Sequence, residues 1–145
     1  MIPVRFTFLR WKNANISVAL NVSFTNSVSG AQADILLEQL DLGGKDANGN
    51  GIAGEFVARQ PLLQNGHIVG GIVRLTDHTE FLQADIGYLK VVLHEIGHAH
   101  ALGHAEGMLG SSVMNMMRAK DDGDDDVPNA PTACDAAAAK LYSTQ

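Results

Sequence analysis

An α+β domain is the fold class this sequence predicts, and three features predict it. The first half alternates apolar and polar residues in strand-like segments, a helix-period stretch begins at Asp85, and an alanine-rich segment closes the chain. A length of 145 residues buries one working core and is too short for two independent ones, so residues 1–145 read as a single domain.

Val4, Phe6 and Phe8, then Ile16, Val18, Leu20, Val22 and Phe24, recur with period two and read as half-buried strands. Ser29-Gly30-Ala31-Gln32 has the form of a capping box, and Ala33, Leu36, Leu37 and Leu40 follow at helical spacing until Gly43-Gly44; this predicts a short amphipathic helix. Lys45 to Gly54 is rich in Gly, Asn and Asp and reads as a loop. Glu55-Phe56-Val57-Ala58 and the run from His67 to Thr76 have strand character, and Gly70-Gly71 marks a bulge or a close backbone approach. From Asp85 onward, Ile86, Leu89, Leu93, Ile96 and His100 form one helical stripe. Pro128 and Pro131 lead to Thr132, an N-cap candidate, and residues 132–142 read as the closing helix.

Ten basic residues against sixteen acidic ones give a net charge of -6, which argues against nucleic acid, whose binding needs clustered Lys and Arg. No apolar stretch has the length of a transmembrane helix. Cys134 is the lone cysteine and has no intrachain disulfide partner. The opening Met1-Ile2-Pro3-Val4-Arg5 lacks the pattern of a secretory leader, which leaves a cytosolic protein or a trimmed start as the readings.

The segment that carries chemistry runs from His94 to His104. His94-Glu95-Ile96-Gly97-His98 is H-E-x-x-H, and His104 follows six residues after His98. On a helix, positions i and i+4 share a face, so the imidazoles of His94 and His98 can converge on one zinc ion. Glu95 stands beside the first ligand, within reach of a zinc-bound water, as a general base. A continuing helix would carry His104 about 9 Å beyond His98 along the axis, so the chain must turn between them. Gly103 and Ala101 are the two candidates for that turn. Three protein ligands leave a fourth position open, the arrangement of a catalytic zinc site. In helical phase His100 points away from the pair and reads as a packed or exposed histidine.

These residues resemble the metzincin metallopeptidases, especially the matrixin branch, whose motif is H-E-x-x-H-x-x-G-x-x-H. His94, His98 and His104 fall on the family's zinc ligands and Glu95 on its general base. Ser112-Val113-Met114-Asn115 is similar to the Met-turn, placed at about 111–116, with Met114 as the methionine beneath the metal. Gly66 to Ile72 is similar to the family's substrate-pairing edge-strand region, and Asp135 matches an aspartate of the last helix that supports the Met-turn. The likeness runs from Gly66 to Tyr142 and implies a twisted mixed β-sheet packed against an active-site helix and a C-terminal helix. It also implies a secreted zinc endopeptidase acting on peptide or protein substrates. Two departures stand out: Ala101 occupies the place of the family's helix-ending glycine, and Ala105 follows the third histidine where matrixins carry serine. The competing expectation is an impaired zinc-binding domain that serves as a binding or scaffold module, with a metal-free structural domain as a third. Cys134 lies too far downstream to block the zinc and reads as a small packed residue.

Other segments carry two readings each. Asp46, Asn48 and Asn50 alternate like the first half of a calcium loop, but Val57 stands where a closing glutamate would be, so an Asx-rich turn competes with Ca2+ binding. Asp121 to Asp126 is a solvated loop or a second calcium candidate, and Asp77 with His78 belongs to a polar loop or a second metal site. Met116 and Met117 suit a substrate pocket or the core equally, and Trp11 reads as core.

Overall fold

The computed structural model describes residues 35–44, 47, 51–59, 63–64, 67–68, 70–78, 85–105, 112–115 and 128–143. The expected N-terminal strands, Trp11, Asp46, Asn48, Asn50, Met116, Met117 and the acidic run lie outside them.

The described elements are β1 (Ile35–Leu40), β2 (Gly54–Ala58), β3 (Leu63–Gln64), β4 (His67–Ile68), β5 (Gly71–Thr76), α1 (Asp85–Ala99) and α2 (Ala133–Ser143). Their arrangement is α+β. β1, β5 and β2 form a three-stranded mixed sheet with β5 in the middle, parallel to β1 and antiparallel to β2. β3 and β4 make a separate two-stranded sheet.

Three expectations are corrected. Within the stretch read as a helix, Ile35 to Leu40 form strand β1, paired in register with Gly71 to Thr76. Leu36, Leu37 and Leu40 satisfy helical spacing, but a short apolar run fits either period, and the ladder offered by β5 decides it. The run from His67 to Thr76 is two strands broken at Gly70, whose φ of 136° is closed to most other residues. Gly71 and Ile72, the end of the segment likened to an edge strand, open the central strand β5, whereas His67–Ile68 is one of the two strands of the separate sheet.

Gly71 does make the close approach its sequence marks. A Cβ there would stand 2.5 Å from the Phe56 ring and from the Val57 carbonyl oxygen. Val73 and Leu75 point to one face of the sheet and meet Val91, Val92, Leu93 and Ile96 of α1, together with Val113, Met114 and Ala139. Arg74 points to the other face, where its guanidinium pairs with Glu38 of β1 and Glu55 of β2.

α1 is buried all round from Lys90 to Gly97, more than a single apolar stripe predicts, so His94 and Glu95 lie inside the molecule at 5% and 4% exposure. α2 begins with a reciprocal cap: Asp135 N–H donates to Thr132 Oγ1 at 3.3 Å, and Thr132 N–H donates to Asp135 Oδ2 at 2.8 Å. Cys134 is exposed on α2 and not packed, a further correction: as the second residue of the helix it turns outward while Asp135 turns in.

Candidate metal centre

The end of α1 brings the third histidine back. Leu102 N–H donates to Gly97 O at 3.1 Å and Ala101 N–H to His98 O at 2.9 Å, the paired bonds of a Schellman ending, with Ala101 left-handed at φ 62°. Of the two candidates for the turn, Ala101 makes it. The chain then doubles back, and Ala105 N–H donates to Met114 O at 2.9 Å, forming a bridge between Ala105 and Asn115 that ties the His104 loop to the 112–115 turn.

The imidazoles of His94, His98 and His104 now form a nearly equilateral group, with ring centroids 4.8, 5.1 and 4.9 Å apart. One ring nitrogen from each lies within 4.8 Å of the others, a spacing that can hold a metal ion. Two backbone carbonyls orient two of the rings. His94 Nδ1 is 2.9 Å from Val113 O and His98 Nδ1 is 2.7 Å from Leu102 O. A carbonyl oxygen only accepts, so each Nδ1 carries the proton and each Nε2 keeps its lone pair. Those two Nε2 atoms face each other at 3.2 Å. Facing lone pairs repel unless a cation lies between them, and this chemistry suits a shared metal ion.

Burial pushes the His94 pKa down to about 4, with neighbouring His98 and His104 adding to the effect and the Val113 carbonyl opposing it. His98 is lowered by burial against the pull of the Leu102 carbonyl, with His104 contributing. Both stay neutral at physiological pH, the state a metal ligand needs. Burial raises Glu95 to about 7, helped by the negative charge of Glu55. Glu95 makes no side-chain hydrogen bond among the described residues. His100 stays outside the group, half-buried, its pKa lowered by burial.

The 112–115 turn meets His94 through the Val113 carbonyl. Asp135 accepts from four donors: Ser112 Oγ, Val113 N–H at 3.1 Å, Thr132 N–H at 2.8 Å and Thr132 Oγ1 at 2.9 Å. The same carboxylate therefore caps α2 and holds the turn whose Val113 carbonyl orients His94. Met114 is buried in the core cluster, with its N–H donating to Ser112 Oγ at 2.9 Å.

Asp41, Asp77 and His78 come together beyond the ends of β1 and β5, with donor atoms within 4.8 Å. Asp41 Oδ1 already accepts from Gly43 N–H at 2.7 Å and lies 2.8 Å from His78 Nε2. Those contacts hold the Asp41 carboxyl below its usual range, the Gly43 N–H most of all. A hydrogen bond between Asp41 and His78 in a polar loop accounts for the close approach.

Sequence reasoning missed the backbone half of the centre. The Val113 and Leu102 carbonyls have no side-chain signature, because any residue supplies a carbonyl. It also passed over Gly54, at the end of a glycine-rich loop; the structure sets it directly against Val91 and Glu95. No protein-family profile matches the chain, and no curated protein matches it.

Proposed function

We propose that this chain is a zinc-dependent endopeptidase of the metzincin type, with His94, His98 and His104 as ligands and Glu95 as general base and acid. One observation carries the reading: three imidazoles converge, those of His94 and His98 with free Nε2 lone pairs, and the buried Glu95, next to His94 in the chain, has no side-chain hydrogen bond among the described residues. The residues fit the ion. Two ligands on one tetrahedral zinc with bonds of roughly 2.0–2.1 Å stand about 3.3 Å apart, and the His94 and His98 Nε2 atoms are 3.2 Å apart. A neutral, all-nitrogen donor set suits zinc far better than calcium or magnesium.

When bound, zinc supplies a Lewis acid that polarises a peptide carbonyl and acidifies water at neutral pH. The chain's own residues do the rest. A carboxylate oxygen of Glu95 takes a proton from the attacking water as the new C–O bond forms, and delivers it to the amide nitrogen as the C–N bond breaks. β2 pairs only with β5 among the described strands, leaving an edge on which an extended peptide can add as a further strand. The resemblance in the motif and in the 112–115 turn supports the matrixin branch and, with it, secretion.

The deciding experiment is Glu95→Ala: the variant keeps stoichiometric zinc and loses cleavage of casein, and undiminished cleavage would remove Glu95 from the chemistry. A zinc-binding module without turnover is the alternative, favoured by the strained turn at Ala101 that carries His104. Full zinc with no turnover on broad peptide libraries would decide for it.

A further inference from the structure

Gly54 opens β2 opposite Leu75, so it faces α1 with Leu75 and Val73. A Cβ built on it would lie 2.7 Å from Val91 Cγ1, 3.1 Å from Glu95 Cγ and 3.2 Å from the Arg74 carbonyl oxygen. Val91 and Glu95 are four residues apart on α1 and stack on one face of the helix, so the bare backbone of Gly54 lies against both stems at once. The Arg74 oxygen belongs to the central strand and cannot swing away as a side chain can. Any residue larger than glycine must therefore displace Val91, the Glu95 stem, or the whole helix relative to the sheet.

This matters because of how Glu95 is held. His94 and His98 are oriented by carbonyls, whereas the Glu95 carboxylate has no hydrogen bond among the described residues. Among the described residues, packing of its methylene stem is what fixes its direction. The wall of that packing is Gly54.

We infer that Gly54 is a positioning residue for Glu95: the missing side chain lets β2 close on α1 and sets where the carboxylate stands relative to His94 and His98. The inference rests on the peptidase reading for its effect on rate, but not for its effect on geometry. A base displaced by about 1 Å loses roughly 100-fold in rate while substrate binding is little changed.

The test compares zinc-loaded wild type, Gly54→Ala, and Gly54→Ala/Val91→Ala, the last removing the tightest contact so that the fold is kept if the single variant fails. Zinc content, kcat and KM on casein-derived peptides, melting temperature and crystal structures are measured for each. Gly54→Ala should bind zinc stoichiometrically, lose about 100-fold in kcat with KM within about threefold, and show the Glu95 carboxylate shifted by about 1 Å from its wild-type place. The double variant should recover melting temperature but not kcat, because the Glu95 and Arg74 contacts remain. A kcat within about threefold of wild type in either variant, or a Glu95 carboxylate unmoved in both crystal structures, would overturn the inference. If wild type itself cleaves nothing, the peptidase reading fails, and the position of Glu95 in the crystal structures still decides the role of Gly54.

Discussion

At the scale of single residues, Ala101 is the clearest compromise. A left-handed alanine carries a steric cost of roughly 1–2 kcal/mol that glycine avoids. The Schellman bonds of Leu102 and Ala101, together with the Leu102 carbonyl on His98, hold the turn in spite of it. Ala101→Gly relieves the strain but adds backbone freedom to the unfolded chain, so a net gain of about 0.5–1 kcal/mol is expected, with zinc binding kept. In a thermal melt this is a rise of a few degrees, and an unchanged or lower midpoint would show that the turn is not strained. The presence of a turn before His104 was legible in the sequence, since a straight helix carries that histidine away from the other two. Choosing between Ala101 and Gly103 was not, because glycine's freedom is permission for a left-handed residue and no guarantee of one.

Among the elements, the junction of α2 with the 112–115 turn governs the centre from a distance. Asp135 has no contact with the histidines in this structure, yet it holds Val113 N–H and Ser112, and the Val113 carbonyl fixes the tautomer of His94. Asp135→Ala leaves buried donors unsatisfied and the helix uncapped, at a cost of about 3 kcal/mol. It should also weaken zinc binding by about 10- to 100-fold, since His94 loses its outer support. Competition with a chelator checks this; zinc affinity equal to wild type would mean that the turn keeps its shape without the carboxylate. α1 and α2 were both legible as helices, one from its apolar period and one from its alanines and the Thr132 cap. β1 was not: Leu36, Leu37 and Leu40 suit either period, and what settles them is hydrogen bonding to a strand some thirty-five residues away in sequence.

For the molecule as a whole, burying Glu95 makes stability depend on pH. A folded pKa of about 7 against an ordinary value of 4.5 means that the folded state holds its proton more tightly than the unfolded chain. The metal-free protein is therefore free of this penalty below about pH 4.5, loses stability as pH rises through 7, and carries the full cost of about 3 kcal/mol above it. Glu95→Gln removes the ionisation. Its melting temperature minus that of wild type should be near its minimum at pH 4.5, grow up to about pH 7 and then level off. His94, with its pKa pushed to about 4, acts in the opposite sense, losing stability as pH falls below 6.5. Being present in both proteins, it largely cancels in the difference. A difference that does not change with pH would place Glu95 in water.

What the sequence alone determined is local: two histidines one helical turn apart with a glutamate beside the first, a third histidine that needs a turn to reach them, and a capped helix at the end. Each follows from the 3.6-residue period and from capping chemistry acting over a few neighbours. Only the tertiary structure decided that Ile35–Leu40 is a strand, that Val113 and Leu102 lend their carbonyls to the rings, and that Gly54 forms the wall behind Glu95. These depend on backbone atoms brought together from distant parts of the chain, and a backbone atom leaves no mark in the identity of its residue.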